Sequence, residues 1–460
     1  MLALIRKHRW WFLAATVAAV LMRTFFILKM TVIQGDSLVY GELAKCLATQ
    51  HFYGLSKATG WAPTMIRMPG YPLYMAFTFL LFGVDHYFGA MLFQLFFDVL
   101  ACFLVADLAR RVFSEQAARS AFLLTAFCPF LLNYVATPLT ECLETFCTVA
   151  ALECAVLAFE SRRQRWWALC GVAIAAAIYL RPDGGLLLGC IGISILLLIW
   201  HQRDRWRELT LAVLLLGFVS LAPLLVWTVR NYRVFHVIQP LVDPHATDPG
   251  EFIPAGFNRW CATWFIDYSA SMDIGFPVPG EPIDVRDVPD YAYTSPEQRM
   301  AIHSLFDQYD RILDITPAMD KRFGAIADAN IRLHPIRFHL LIPGARMLDM
   351  WFRPRTEMMP LDVHFWRFHQ DPHDAWCSVA LGALNLVYLA AAAAGAWLLR
   401  RRQHWLVLLL AYPIVRTLFL GYIGANEDRY TIECYPVALI LAAGFVNWWQ
   451  TRKTGLRVGT

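Results

Sequence analysis

The chain has 460 residues, of which 58% are hydrophobic and only 17% charged, and its mean hydropathy is +0.45. This balance excludes an ordinary soluble domain, which is nearer half apolar and about a quarter charged. A net charge of +4 gives no strong basic field, so no nucleic-acid partner is expected.

Apolar runs of roughly 17–25 residues recur along the chain, the length needed to cross a ~30 Å hydrocarbon core. The first, about Trp10–Val32, follows Arg6, Lys7 and Arg9. No small-residue cleavage site follows it, so it reads as a retained span with the N-terminus in the cytoplasm. A long loop, 33–87, comes next. Within it Gly70–Phe82 is apolar but short, and Pro69 and Gly70 open it, so a re-entrant or surface helix is expected there. Further spans are expected at about Phe88–Ala109, Ala118–Tyr134, Glu141–Phe159, Trp166–Leu180, Gly185–Trp200 and Leu209–Val229. After the segment 231–376 come Cys377–Leu399, Trp405–Tyr422 and Cys434–Trp449. With about ten spans, Arg110-Arg111, Arg162-Arg163, Arg203 to Arg207, Arg400 to Arg402 and the tail with Arg452 and Lys453 all fall on one side. That side is the cytoplasm by the positive-inside bias, and both termini are placed there.

The expected fold is an all-α polytopic membrane bundle with juxtamembrane helices on the outward side. Residues 1–230 form an N-terminal transmembrane module, 231–376 an outward segment, and 377–460 the last spans and a cytoplasmic tail. Asp243–Asp290 is rich in Pro, Gly and Asp and reads as loop, not as part of one compact domain. Ser295–Phe352 reads as helical. There Ile331, Ile336, Phe338, Leu340 and Leu341 mix with Arg332, Arg337 and Arg346, a pattern that suits helices lying on a membrane surface. Cys102, Cys128, Cys147, Cys154, Cys170 and Cys190 fall in apolar runs as small packing residues. Cys46 and Cys261 have no diagnostic spacing, so no disulfide framework is expected.

Two charges fall deep in the bilayer. Arg23 lies ~20 Å into the first span and Asp98 ~15 Å into the second from the opposite side, at ~1.5 Å per residue. In a ~30 Å core these depths nearly match. Unpaired charges there cost at least ~2.5 kcal/mol each, which points to an Arg23–Asp98 ion pair. The alternative is that Arg23 snorkels outward while Asp98 is protonated or bonded to Gln94.

The unusual polar motifs fall on the outward side. Asp36 follows the first span, where it supplies a carboxylate or simply caps the next helix. Arg67 sits on the Pro- and Gly-fixed turn Arg67-Met68-Pro69-Gly70-Tyr71-Pro72, suited to a phosphate or carboxylate partner or to interfacial snorkelling. Glu141 opens the fourth span, and Glu144, one turn deeper, requires a partner. Arg181, Arg230-Asn231 and Glu427-Asp428-Arg429-Tyr430 lie at other outward span ends. Several arginines on the face that the positive-inside bias disfavours suggest one anionic-ligand site. Its anion-binding donors would be Arg67, Arg181, Arg230 and Arg429, with Tyr40, Tyr71, Glu141, Asn231, Glu427 and Tyr430 lining the same pocket. His364, His369 and His373 tempt a metal reading, but Pro372 interrupts the helical spacing, and an aromatic interfacial segment is expected instead.

These pieces occur in a familiar order: "GDSLVYGELAKCL", "RMPGYPLYMA", "TPLTECLETF", "LRPDGGLLL", "WTVRNYRVF" and "NEDRYTIECYPVALILAA". The set, spread over residues 10–445, resembles the GT-C superfamily of membrane glycosyltransferases. It is most similar to bacterial relatives of the protein O-mannosyltransferases and the lipid A aminoarabinose transferases. The resemblance implies inverting transfer of one sugar from a polyprenyl-phosphate carrier at the outer face of the bacterial cytoplasmic membrane, with Asp36 as catalytic base. Protein O-mannosyltransferases carry an Asp-Glu pair in the first loop, whereas Asp36 is followed by Ser37, so a lipid or glycan acceptor is expected rather than a protein. No cofactor is required by the residues. A divalent metal would find its best extra carboxylate in Glu141. The rival class is a transporter or lipid flippase whose outward charges gate an anionic substrate; it would show inverted repeats, and none is visible. A non-enzymatic sensor would leave Asp36 and the span-end arginines unexplained.

Overall fold

The computed structural model describes residues 1–275, 280–400 and 402–453. Arg401 of the basic loop, the side chain of Arg203 and tail residues 454–460 lie outside the described residues. The chain folds as α1 (Leu2–Lys7), α2 (Arg9–Lys29), α3 (Asp36–Gln50), the hairpin β1 (Gly54–Lys57) and β2 (Gly60–Pro63), and α4 (Gly70–Phe82). Next come α5 (Tyr87–Val112), α6 (Glu115–Ala126), α7 (Pro129–Val135), α8 (Glu141–Ser161), α9 (Gln164–Leu180), α10 (Gly185–His201) and α11 (Trp206–Phe235). The segment 231–376 carries α12 (Ala255–Ala262), α13 (Tyr268–Ala270), α14 (Pro296–Ile312), α15 (Pro317–Leu333) and α16 (Ile342–Phe352). The last helices are α17 (Pro372–Leu399), α18 (Gln403–Ile423) and α19 (Tyr435–Lys453), the last preceded by a 3-10 turn, Asp428–Cys434.

Among the described residues, 8 helices are long and apolar enough to cross a membrane, or 9 with the α6–α7 pair taken as one bent span. The protein is a multi-pass, all-α membrane protein. Of the about ten spans expected, all but Trp166–Leu180 coincide with these helices or with the α6–α7 pair. Two depart from a straight crossing. The α6–α7 pair bends by 55°. Cys128 is extended there because Pro129 disfavours a helical residue before it. Helix α9 has only 17 residues, or ~26 Å at ~1.5 Å per residue. Helix α4, 13 residues long and too short to be counted as a span, packs against α3.

The Arg23–Asp98 pair is present. Arg23 is fully buried, and its Nε donates to Asp98 Oδ2 at 2.6 Å while Nη2 closes on the same oxygen. Its Nη1 donates to the carbonyls of Ala19 and Ala126, both at 3.0 Å. One guanidinium thus ties α2 to α5 and to the end of α6. Breaking such a pair from one side leaves an uncompensated buried charge, a cost of roughly 3–5 kcal/mol. Arg23→Gln and Asp98→Asn should each reduce folded yield, and the Arg23→Asp/Asp98→Arg swap should partly restore it. Size-exclusion recovery of the double variant no better than the worse single would contradict the pair.

The outward segment departs from the sequence reading. Residues read as loop contribute α12, which packs against α14 and α15 around Phe257, Trp260, Trp264, Phe306, Tyr309 and Phe323, all buried. The spacing of Phe257, Trp260 and Trp264 is that of one helical face, but the surrounding Pro and Gly obscured it. The later stretch leaves Leu333, Ile336, Leu340, Leu341, Leu348 and Phe352 exposed. Arg346, expected at the surface, is instead buried. It donates to the carbonyls of Gly421 at 2.6 Å and Phe265 at 2.7 Å, fastening α16 to α18 and to the aromatic-cored unit.

Candidate active site

The turn between α2 and α3 sets the central carboxylate. Gly35 has φ +52°, a left-handed conformation that a side chain would resist, and the chain enters α3 directly at Asp36. Asp36 is therefore the first helical residue and not the cap; its side chain turns to two arginines. Its Oδ1 accepts from Arg67 Nη2 at 2.7 Å and its Oδ2 from Arg429 Nη2 at 3.1 Å. Burial alone would raise the carboxyl's pKa, but the charges of Arg429 and Arg67 outweigh it and hold it at about 2. The same pairing raises Arg67 against the opposing effect of its own burial.

Arg67 is held by its loop. Tyr53 Oη donates to the Arg67 carbonyl at 2.9 Å, and Arg67 Nη1 donates to the Ile66 carbonyl at 3.1 Å. Gly70, three residues on, meets the end of α9: a Cβ there would lie 2.4 Å from the Tyr179 carbonyl oxygen. This close approach brings the Arg67 turn beside Arg181.

Arg429 comes from the 3-10 turn. Its Nε lies 2.5 Å from Glu427 Oε2, and the Tyr430 hydroxyl donates to Glu427 Oε1 at 2.5 Å. Arg181 stacks on the Tyr430 ring, 4.2 Å from its centroid, and its Nη1 is 3.4 Å from Glu141 Oε1. Arg429 Nε reaches the same Glu141 oxygen at 3.9 Å. Arg67, Arg181 and Arg429 therefore meet around Asp36, Glu141, Glu427 and Tyr430, although they are far apart in sequence. Tyr40 lines the base of this group. Its phenol is pushed up to about 12, first by burial and then by the Asp36 charge. Asn426 accepts from Ser271 Oγ at 2.7 Å and donates to the Asp267 carbonyl, so the outward segment is fastened to the same turn.

The remaining expected site residues lie elsewhere. Arg230 faces the hairpin: it donates to the Tyr53 carbonyl at 2.7 Å and the Thr64 carbonyl at 2.8 Å, between the rings of Tyr53, Trp227 and Phe235. With both arms on backbone carbonyls it braces the loop that carries Arg67, and it does not join the other arginines. Asn231 is fully buried and donates to the Gln239 carbonyl at 2.9 Å, holding the turn after α11. Tyr71 is fully buried under Tyr40, with its hydroxyl on Gln94. It supports the pocket from below.

Below the arginine group lies a buried network that the sequence reading missed in part. Arg416, in the middle of α18, is fully buried. It meets Asp183 at 3.0 Å, Glu433 at 3.2 Å and Glu144 at 3.5 Å. Its Nε donates to the Tyr430 carbonyl at 2.6 Å. This supplies the partner that Glu144 requires, together with Arg181 at 3.5 Å. An arginine within an apolar span is the same signal that singled out Arg23, and applied to Arg416 it would have found this network.

Glu141, the carboxylate named for a metal, is turned to Arg181 and Arg429. Among the described residues no three His, Cys, Asp or Glu side chains come together to hold a metal ion. His364 sits between Asp362 and Asp273, 3.0 Å from each, and His373 pairs with Asp374. This donor arrangement does not fit a metal.

An apolar groove of about 480 Å³ runs between α17, α18 and α19, lined by Leu389, Ala392, Pro413, Ile414 and Val437. Trp351 and Cys434 also line it, and Cys434 ends the 3-10 turn that carries Arg429. The groove therefore adjoins the same turn as the arginine group.

Residues 66–227, about a third of the chain, match the family model of dolichyl-phosphate-mannose-protein mannosyltransferase. No curated protein sequence matches. Among solved structures, the Archaeoglobus fulgidus oligosaccharyltransferase tethered to an acceptor peptide aligns at TM-score 0.53 and 15% identity, over 97% of this chain and 50% of that one. AglB from the same organism, in complex with an inhibitory peptide and a dolichol-phosphate, aligns at TM-score 0.51 and 15% identity, over 98% and 53%. ArnT from Cupriavidus metallidurans in the apo state aligns at TM-score 0.42 and 16% identity, over 93% and 78%. The chain spans about half the length of the archaeal oligosaccharyltransferase it matches. The fold is that of the transmembrane part of the archaeal oligosaccharyltransferase, in keeping with the resemblance read from the ordered motifs.

Proposed function

We propose that the protein transfers a sugar, with inversion, from a polyprenyl-phosphate carrier to a lipid or glycan acceptor at the outer face of the bacterial cytoplasmic membrane. The observation that carries this reading is the half-buried Asp36 carboxylate set among Arg67, Arg429 and Arg181. Acceptor deprotonation needs a base, and Asp36 is the carboxylate at the open edge of the group. The acceptor oxygen bonds to the anomeric carbon as the carbon–phosphate-oxygen bond breaks, and the acceptor proton passes to Asp36. The electron pair of the broken bond leaves with the carrier phosphate. A phosphate is already a good leaving group, so it needs charge stabilisation more than an acid, and arginine forks supply that. The apolar groove beside the 3-10 turn suits the tail of such a carrier. Ser37 in place of a second acid favours a lipid or glycan over a protein acceptor.

Lipid extracts of a deletion strain should accumulate one polyprenyl-phosphate sugar, measured by mass spectrometry. An unchanged profile would contradict the reading. For the sidedness, a cytoplasm-active reporter should work after Arg111, Arg163 or Arg205 and fail near Lys57, Pro244 and Asn426. An active Pro244 fusion would overturn it.

A further inference from the structure

The arginines around Asp36 are already paired with carboxylates. Arg67, Arg181 and Arg429 face Asp36, Glu141 and Glu427, and Arg181 also meets Glu144 and Asp183. A carrier phosphate would be a further anion in a group whose arginines are already matched by carboxylates. One carboxylate must yield its arginines for the phosphate to be held.

The exposures identify which one yields. Glu141 and Glu427 are buried, with side chains 1% and 7% exposed, whereas Asp36 is 28% exposed and Arg67 24%. Arg181 is committed below to Glu144 and Asp183, at 3.5 and 3.3 Å. Arg67 has its Nη1 on the Ile66 carbonyl, and Arg429 has its Nε on Glu427. The Nη2 atoms of Arg67 and Arg429 are both held by Asp36, the most exposed of these carboxylates. A phosphate entering beside Asp36 meets the donors that this carboxylate already occupies.

On the proposed reading of this site, we propose that Asp36 holds the place of the donor phosphate in the empty protein. Carrier phosphate and Asp36 then compete for Arg67 and Arg429, and the base becomes competent only after the donor has bound. The competition orders the reaction. While both arginines grip Asp36, its carboxylate is a weak proton acceptor. When the phosphate takes the arginines, Asp36 loses two stabilising charges and gains a neighbouring anion, and both changes strengthen it as a base. Taking the acceptor's proton then leaves Asp36 neutral, so the arginines remain with the departing phosphate. The arrangement also disfavours acceptor activation without a donor.

The test measures binding and does not depend on turnover. Undecaprenyl phosphate and, separately, inorganic phosphate are titrated against the full chain in nanodiscs, comparing wild type with Asp36→Asn and Asp36→Ser. Two substitutions are used in case one fails to fold. Removing a competing charge within a few ångströms of the phosphate should tighten binding on the order of tenfold or more. The gain should appear with both probes, because the competition is for the headgroup, and it should vanish when Arg67→Gln is added. Equal or weaker binding by both neutral variants, with wild-type binding intact, would overturn the competition and leave the proposed reaction standing. A wild-type protein that binds neither probe would overturn both.

Discussion

Asp36→Asn should lower sugar transfer by on the order of 10²–10⁴-fold, the usual cost of losing a general base. The substitution is close to isosteric, and Asp36 begins α3 without capping it, so the helix does not depend on the carboxylate. The side chain is partly exposed, so replacing it leaves no buried orphan charge of its own. Arg67 retains the Ile66 carbonyl and Arg429 retains Glu427 and Tyr430 as partners. The variant should therefore fold and melt near wild type while turnover collapses. Near-normal turnover of purified Asp36→Asn would remove Asp36 from the mechanism. A large loss of thermal stability would assign its effect to structure.

Arg416→Met should be the most destabilising of the single changes near the site, by roughly 3–5 kcal/mol, because it strips the counter-charge from a buried group. Glu144, Glu433 and Asp183 meet this one guanidinium, and the first two are fully buried. They come from α8, from the turn before α19 and from the turn between α9 and α10. Arg416 thus joins four elements at the floor of the site. With it gone, Arg181 becomes the nearest remaining cation, already within 3.5 Å of Glu144 and 3.3 Å of Asp183. It should be drawn down, away from Glu141 and Tyr430. Adding Glu433→Gln to Arg416→Met removes one orphan charge and should recover part of the stability. Arg416→Met melting within about 0.5 kcal/mol of wild type, the range of ordinary surface changes, would contradict a central role for the network.

The membrane architecture was legible in the sequence because hydrocarbon imposes length and polarity so strictly. Arg23 and Asp98 can be paired from the sequence because two charges at one depth have few other partners. The bend at Pro129 was less legible, since hydropathy records apolarity and not direction. The arginine group shows where position in the sequence stops being informative. Arg67, Arg181, Arg230 and Arg429 all lie at or near span ends expected on one side, and linear order gives no sign that Arg230 faces the hairpin carbonyls. That depends on the rings of Tyr53, Trp227 and Phe235 surrounding it. Asn231 and Tyr71 were placed in the pocket by proximity to motifs, but packing turned both toward backbone or Gln94. The aromatic core of the outward segment was hidden for another reason: its helices are short, and Pro-rich loops separate the residues that meet.

The most direct measurement is transfer by the purified protein. The full chain in nanodiscs is given a panel of labelled polyprenyl-phosphate sugars and a membrane lipid extract as acceptor, and release of the label from the carrier is followed with the anomeric configuration of the product. The account predicts that one carrier-linked sugar is consumed, that its anomeric configuration is inverted in a lipid or glycan product, and that Asp36→Asn abolishes the transfer. A protein that moves these lipids across the bilayer with the carrier–sugar bond intact, or a product of retained configuration, would contradict it.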